Sequence, residues 1–145
     1  MKTRTIKKNE IKAKWYLLDA EGIRLGQLAR KAAVTLIGKD KVNFSDNLLS
    51  GDYVVIINAK KVSIYPKKKE SKKYYRHSGY MGSLKVENFQ DLLKRKPEQI
   101  IENAVKGMLP NNKLRKQMLK RLFVYPASEH KNEAQKPEKL LFNTK

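Results

Sequence analysis

The sequence predicts a single α/β domain, residues 1–145, in which a small, mostly parallel sheet is flanked by helices. Three observations predict this fold class. Residues 15–20 have the aromatic and aliphatic composition of a buried strand, an amphipathic helix follows, and residues 53–58 form a near-continuous apolar run. A strand that is apolar on both faces is typical of a parallel sheet covered by helices. Strand, helix and doubly buried strand in this order indicate a βαβ unit.

Turn residues set the boundaries of the first strand and helix. Glu21-Gly22 supplies a turn after the strand, and Gly38 is a natural left-handed stop for the helix. Between these turns, apolar residues recur at helical spacing and share one face: Leu25, Leu28, Ala29, Ala32, Ala33, Leu36 and Ile37. Aspartates stand at the surrounding turns, where capping is their expected role: Asp19, Asp40, Asp46 and Asp52.

The second half of the chain is predicted to be more helical. Residues 62–65 alternate and stop at Pro66, which favours one more short strand before the helices begin. Pro97 suits the first position of a helix, with Glu98 beside it where the helix dipole favours an acid. This helix carries one apolar stripe, formed by Ile100, Ile101, Ala104, Val105 and Met108.

A further helix is predicted after Pro110. Its inward-facing residues are expected to be Leu114, Met118, Leu119, Leu122 and Phe123. Arg115 falls among these apolar positions, so either the helix begins just after it or its head group reaches past the edge. The polar residues 128–145, which include Pro137, are expected to run over the surface as a C-terminal tail.

The net charge of +19 is concentrated in three places. Residues 1–14, a basic N-terminal arm, carry +5; residues 67–76, a basic loop, carry +5; and residues 85–121 carry +6. Charge of one sign on this scale destabilises a compact monomer by self-repulsion and calls for a polyanion. Any single cluster could be a solvated face. Three such clusters favour nucleic acid over a membrane surface, which would also need exposed bulky apolar residues.

Composition and spacing also predict what the chain lacks. The absence of cysteine excludes disulfides, thiolate zinc sites and cysteine nucleophiles, and His77 and His130 have no metal-ligand spacing. Residues 22–26 lie between a strand and a helix without the spacing of a nucleotide loop, so a tight turn is favoured. No apolar run approaches the ~20 residues that span a bilayer. The sequence therefore predicts a soluble cytoplasmic protein that is not an enzyme and has no cofactor, metal or small-molecule substrate.

Residues 67–85 carry the most informative pattern. A lysine cluster is followed directly by Tyr74-Tyr75-Arg76-His77-Ser78-Gly79-Tyr80. Phosphates need cations, whereas unstacked bases and ribose hydroxyls suit aromatic faces and short polar donors. Gly79-Tyr80-Met81-Gly82 formally fits a GxxG clamp, which belongs between two helices, but the preceding residues look extended. The alternative is a plain β-hairpin that buries one of Tyr74 and Tyr75 and exposes the other.

Motifs along nearly the whole chain occur together, in a fixed order and spacing. They are Trp15-Tyr16 with Asp19-Ala20, Leu25-Gly26 with Leu28-Ala29, Gly38-Lys39, Gly51-Asp52-Tyr53-Val54 with Asn58-Ala59, and His77-Ser78-Gly79-Tyr80 with Gly82 and Leu84-Lys85. The most specific is Ala104-Val105-Lys106-Gly107-Met108-Leu109-Pro110 followed by Asn112-Lys113-Leu114; Glu129-His130 and Ala134-Gln135-Lys136-Pro137 close the set. In these motifs the chain resembles the family of the thirteenth protein of the bacterial large ribosomal subunit.

The chain departs from the family pattern at four positions. The family often has arginine at Gln27 and glycine at Ser83 and Arg115, and a glycine-containing turn is more usual around Pro126. The resemblance implies a non-catalytic structural constituent of the large ribosomal subunit. It further implies binding to large-subunit ribosomal RNA (23S in bacteria), early entry into assembly, contact with neighbouring ribosomal proteins, and a place in the cytoplasmic ribosome.

Basic segments and resemblance together predict the RNA-binding residues. Expected phosphate contacts are Lys39, Lys41, Lys67, Lys68, Lys69, Lys72, Lys73, Lys106, Lys113, Lys116, Lys120 and Arg121. Shape-specific contacts to sugar or base are expected from Arg76, His77, Ser78 and Tyr80. Lys85 and His130, which lie in matched motifs, complete the predicted set.

Overall fold

The computed structural model describes residues 6–142 and confirms the predicted α/β class. The strands of this part are β1 (Trp15–Asp19), β2 (Tyr53–Ile57), β3 (Lys73–His77), β4 (Leu84–Asn88), β5 (Leu122–Val124) and β6 (Glu138–Lys139). Its α-helices are α1 (Leu25–Ile37), α2 (Pro66–Ser71), α3 (Phe89–Arg95), α4 (Pro97–Met108) and α5 (Arg115–Leu119). Short 3₁₀ helices cover Lys8–Glu10 and Ala59–Lys61. Residues 1–5 of the predicted arm and residues 143–145 of the predicted tail lie outside the described residues.

The main sheet is parallel throughout. Its strand order is β5–β2–β1–β6, and β1 pairs with β2 in register from Trp15↔Tyr53 to Asp19↔Ile57. Parallel neighbours need a crossover connection, which α1 supplies between β1 and β2. Strands β3 and β4 form a separate antiparallel hairpin.

The βαβ start follows the boundaries that the sequence predicts. Gly22 lies in the turn after β1 with φ 71°, and α1 runs over the predicted residues. Gly38 ends α1 at φ 82°, and its N–H donates to the Val34 carbonyl oxygen at 2.9 Å. This left-handed conformation favours glycine because a side chain there would be strained.

Alternation along the central strands gives the sheet two different faces. Leu18, Val54 and Ile56 are completely buried in the cluster formed with α1 and α4. Val55, whose side chain points to the opposite face, is also completely buried, as a strand covered on both faces requires. On that opposite face the ring of Trp15 stacks on Tyr53, with 4.3 Å between the ring centres.

The chain between α1 and β2 returns tightly against the end of α1. A Cβ atom placed on Gly51 would lie 1.7 Å from the Leu36 carbonyl oxygen, so only glycine fits there. A Cβ atom on Gly38 would lie 2.9 Å from the carbonyl carbon of Ser50. Ser50 is completely buried. This return brings Asp52 into the protein interior at the start of β2.

Residues 62–65 do not form the predicted strand. Ser63 makes an isolated parallel bridge with Arg24, in which its N–H donates to Ile23 and its carbonyl accepts from Leu25. The pairing ends there because the partner segment enters α1 at Leu25 and the chain itself enters α2 at Pro66.

Leu122 and Phe123 belong to a strand, so the prediction that they extend a helix is wrong. Helix α5 ends at Leu119, and β5 pairs with β2 from Val54↔Leu122 onward. Leu122 could be buried in either a helix or a strand. Only a strand, however, provides hydrogen-bond partners for the backbone groups of β2 that do not pair with β1. Pairing in the folded sheet therefore overrides the helical periodicity of the sequence.

The remaining differences concern the second half. Arg115 is the first residue of α5, and its guanidinium donates back to the carbonyl oxygens of Pro110 (3.0 Å) and Leu109 (3.3 Å). This explains why it interrupts the apolar pattern. Met108, expected in the apolar stripe of α4, is 45% exposed. Strand β4 completes the hairpin that the sequence left open as an alternative. Helix α3 and the edge strand β6 were not predicted, and Phe142 after β6 packs against the core.

Candidate nucleic-acid interface

The basic segment, residues 67–76, was predicted as a loop but consists of a short helix followed by a strand. Residues 67–71 of the predicted basic loop belong to α2, on which residues 67–69 are exposed. Lys72 and Lys73 follow, and the Lys72 ammonium lies 5.5 Å from the ring centre of Tyr74. Among the described residues, none of these lysines forms an ion pair with an acid. The segment therefore presents an uncompensated positive surface.

The hairpin separates its two tyrosines as an alternating strand predicts. Tyr74 packs against the core, whereas Tyr75 is 66% exposed. Arg76 and Lys85 are direct partners across β3 and β4, so they share one face, and like charges in this position repel each other. An anion bound between them would relieve this repulsion.

Three of the predicted contact residues lie at the hairpin turn: His77 ends β3, and Ser78 and Tyr80 follow it in the turn. The Gly79 N–H donates to His77 Nδ1 at 2.9 Å, which leaves Nε2 of that ring for an outside partner. The Ser78 hydroxyl donates to Ser83 Oγ at 2.6 Å, and the ring of Tyr80 is 82% exposed. The turn joins two strands, whereas a GxxG clamp would lie between two helices, so Gly79-Tyr80-Met81-Gly82 is not such a clamp.

A second group of predicted cations lies on α4, α5 and their connection. Lys106 is exposed on the last turn of α4. The neighbouring Gly107 is open as well, because a Cβ atom added there would meet nothing within 4 Å. Lys113, Lys116 and Lys120 are exposed as well. Helix α2 contacts α3, α3 contacts α4, and α4 contacts α5, so the helices that carry these cations are connected by packing to the helix of the basic segment.

Lys41 has its ammonium group bound inside the protein. Nζ donates to Asp52 Oδ1 at 2.5 Å and to the carbonyl oxygens of Lys12 and Ser50, each at 3.0 Å. An ammonium has three N–H donors, so all of them are used. The predicted phosphate contact conflicts with this geometry, and we assign Lys41 a structural role.

Arg121 is also engaged within the protein. Its Nη1 donates to the Gly51 carbonyl oxygen, and its guanidinium lies 5.0 Å from the ring centre of Tyr53. The residue is half-buried. A phosphate contact by Arg121 can use only its remaining N–H groups.

The last two predicted contacts lie apart from these groups along the chain. Lys39 is exposed directly after the end of α1. His130 is half-buried against Tyr125, with ring centres 6.1 Å apart, and its Nδ1 accepts from the Asn132 N–H at 3.3 Å. The Tyr125 hydroxyl donates to Asn132 Oδ1 at 2.6 Å, which ties this part of the C-terminal segment together.

Within residues 6–142, three ionisable groups have pKa values displaced by their surroundings. Burial raises the pKa of the Tyr74 phenol. A two-pronged hydrogen bond to Glu87, at 3.0 and 2.6 Å, and the charge of that carboxylate raise the pKa of Arg95. Burial and the charge of Glu98 raise the pKa of Glu102. Such shifts accompany ordinary packing and ion pairs as well as catalysis, and none falls on a predicted contact residue.

Replacing Tyr74 with phenylalanine is expected to stabilise the protein slightly. The Tyr74 hydroxyl oxygen is buried without a hydrogen-bond partner among the described residues. Phenylalanine keeps the ring and removes this unsatisfied group, so the free energy of unfolding should rise by up to about 1 kcal/mol. Urea denaturation measures the change, with exposed Tyr75→Phe as the matched control. A clear loss of stability in Tyr74→Phe alone would contradict this expectation.

The described residues hold no group of three or more His, Asp or Glu side chains suited to a metal ion. Within residues 6–142, no helix has both the length and the apolar character needed to cross a membrane.

Asp19 is one of the acids that were expected to stabilise a turn, and it does so. Its Oδ1 accepts from the Glu21 N–H at 3.0 Å and from Asn58 Nδ2 at 2.8 Å.

A surface groove of about 500 Å³ was not predicted from the sequence. We name it the basic groove; the lining residues that matter below are Arg24, Arg30, Tyr65, Lys68, Lys72 and Met108. Of these, only Lys68 and Lys72 are predicted RNA contacts. The turn of residues 22–26, which contains Arg24, was predicted only as a tight connection between strand and helix.

Comparison with known proteins gives a consistent result. A family model described as ribosomal protein L13 matches residues 13–131. Large ribosomal subunit protein uL13 of Pelotomaculum thermopropionicum is 52% identical over 139 residues, which cover 95% of this chain and 96% of that protein. The uL13 protein of Thioalkalivibrio sulfidiphilus is 50% identical over 140 residues, covering 97% and 99%. That of Gloeothece citriformis is 51% identical over 130 residues, covering 90% and 86%.

Proposed function

Because the chain belongs to the ribosomal protein L13 family, we propose that it is a structural constituent of the large ribosomal subunit and binds large-subunit ribosomal RNA (23S in bacteria). It acts within the cytoplasmic ribosome and has no catalytic role. It contacts neighbouring large-subunit proteins and joins the particle early, since its cations can bind RNA before those neighbours arrive.

The observation that carries this proposal is the shortage of internal partners for the positive charge. Three side-chain ion pairs form within residues 6–142: Lys41–Asp52, Lys61–Glu21 and Arg95–Glu87. Only the first involves a predicted contact residue. The exposed lysines of α2, α4 and α5 therefore remain available for phosphates, and their mutual repulsion falls when phosphates bind.

The hairpin complements these lysines with a different chemistry. Exposed rings at Tyr75 and Tyr80 offer faces for unstacked bases, and His77 and Ser78 offer short polar groups for ribose or base edges. Phosphate contacts fix the position of a protein on RNA, whereas contacts of this second kind depend on RNA shape. The rigid α/β core holds both kinds of surface in one arrangement.

Neutralising the lysines of α2 should weaken RNA binding in a salt-dependent way. The triple substitution of Lys67, Lys68 and Lys69 by alanine removes three proposed phosphate contacts. The slope of log K against log salt should then become less steep by about 2 to 3. Filter binding to protein-free large-subunit ribosomal RNA across a salt series measures it.

Lys61→Ala is the matched control, because Lys61 is exposed but already paired with Glu21. Its slope should equal that of the unaltered chain. An affinity of the unaltered chain that did not depend on salt would contradict the proposal, whatever the variants did. Sedimentation of a cell extract tests the ribosomal location separately: the chain should co-migrate with the large subunit and leave it at high salt.

A further inference from the structure

The basic groove is formed by three segments that are distant in sequence. Arg24 directly precedes α1, and Arg30 lies in the second turn of that helix. Tyr65 directly precedes α2, Lys68 lies in its first turn, and Met108 is the last residue of α4. Its volume of about 500 Å³ is comparable with binding sites for small ligands. The fold therefore creates a concave site that none of the segments contains alone.

The electrostatic character of the basic groove is one-sided. Arg24, Arg30, Lys68 and Lys72 line it, and no acid is among the described residues of its wall. A second cavity, of about 230 Å³, has both Asp40 and Asp52 in its lining. Among the described residues, Arg30 and Lys68 have no ion-pair partner. Four cations around one concave surface fit a ligand that carries phosphate.

One wall of the basic groove is a cation–π stack of two side chains. The Arg24 guanidinium lies 4.4 Å from the ring centre of Tyr65, and its Nη1 donates to the Tyr65 hydroxyl at 2.5 Å. This hydrogen bond holds the two side chains together. Guanidinium and aromatic planes are surfaces on which unpaired bases stack. Met108, 45% exposed at the end of α4, adds an apolar contact.

We propose that the basic groove holds one unpaired nucleotide of the bound RNA. The base lies against the Arg24–Tyr65 stack and Met108, and the flanking phosphates lie against Arg30, Lys68 and Lys72. This assignment rests on the proposed function, because it takes the RNA to be the source of the nucleotide. It adds Arg24, Arg30 and Tyr65 to the RNA-binding surface. Through this groove the protein would recognise an unpaired nucleotide in the RNA.

Photo-cross-linking of the full chain to large-subunit ribosomal RNA containing 4-thiouridine and 6-thioguanosine tests the proposal. After irradiation of the saturated complex and digestion with trypsin, mass spectrometry should find a nucleotide on the peptide that contains Tyr65 or on the one that contains Met108. Tyr65→Ala should lower the yield per bound protein about tenfold, whereas Tyr65→Phe, which keeps the ring, should change it by less than about twofold. Circular dichroism verifies that both variants are folded.

One control variant and the RNA binding of the unaltered chain distinguish a failure of this inference from a failure of the proposed function. Lys120→Ala, on the α4–α5 surface, should reduce overall RNA affinity but leave the cross-link per bound protein unchanged. If the unaltered chain binds the RNA with the expected salt dependence but cross-links only elsewhere, the groove assignment is overturned and the proposed function stands. If the chain does not bind the RNA at all, the proposed function fails and the inference fails with it.

A free nucleotide is the other source of the same chemistry, and titration with ADP in the absence of RNA examines it. NMR shifts confined to Tyr65 and Met108 at micromolar ADP, together with no RNA cross-link in the groove, would reassign the site to a small molecule. Arg30→Ala combined with Lys68→Ala should reduce the salt slope of RNA binding by about 1.4 to 1.8. An unchanged slope would show that these two cations face solvent in the complex and would overturn their role.

Discussion

Gly51→Ala is expected to destabilise the protein by about 3 kcal/mol or more, and it can prevent folding altogether. An alanine Cβ at this position would lie 1.7 Å from the carbonyl oxygen of Leu36 and 2.3 Å from its carbonyl carbon. Both obstacles are backbone atoms in the last turn of α1, so no side-chain rotation removes the overlap. Either α1 or the start of β2 must move, and both belong to the buried core.

Gly107→Ala is the matched control for this substitution. Gly107 lies inside α4, and an added Cβ would meet nothing within 4 Å. Alanine is favoured over glycine in a helix by about 1 kcal/mol, so this variant should be as stable as the unaltered chain or slightly more stable. Urea denaturation of both variants measures the contrast. Equal stability of the two variants would show that the chain between α1 and β2 is not packed as described.

Gly51 also shows where the sequence stops being informative about the fold. The sequence predicted the bounds of α1 and the position of β2, because hydrophobic period, turn residues and burial agree over residues 15–58. It contained no sign that the backbone of Gly51 touches that of Leu36, because the contact depends on how the two elements pack. The same limit applies at Leu122, where the strand is chosen by the free edge of β2 and not by local periodicity.

The candidate RNA-binding residues were also predictable only in part from the sequence. Residues 67–85 were predicted to bind RNA from the order of their lysines, aromatic residues and glycines, and the structure exposes most of their polar and basic side chains. Lysines look alike in a sequence, however, so Lys41 could not be distinguished from Lys39. The difference is a carboxylate that the fold brings to one of them and not to the other. The basic groove could not be predicted because residues 24–30, 65–72 and 108 meet only in the folded chain.

Asp52→Ala is expected to destabilise the protein by about 3 kcal/mol. The Asp52 carboxylate is buried, and its Oδ1 accepts from both the Lys41 ammonium at 2.5 Å and the Lys14 N–H at 2.7 Å. Removing it leaves the half-buried Lys41 without a counter-charge and the Lys14 amide without its acceptor. Asp46→Ala, at an exposed turn position, is the matched control and should change the free energy of unfolding by less than about 0.5 kcal/mol.

A double-mutant cycle with Lys41→Ala isolates the pair. If Lys41 and Asp52 stabilise each other, the double variant loses less stability than the sum of the two single variants, by about 1 to 3 kcal/mol. Additive losses would mean that the ion pair contributes nothing.

RNA binding by folded Lys41→Ala, measured well below its melting temperature, separates structure from function. Its salt slope should match that of the unaltered chain, because an ammonium committed to Asp52 and two carbonyl oxygens has no donor left for a phosphate. A slope reduced by about 0.7 to 0.9 would instead return Lys41 to the phosphate-binding surface.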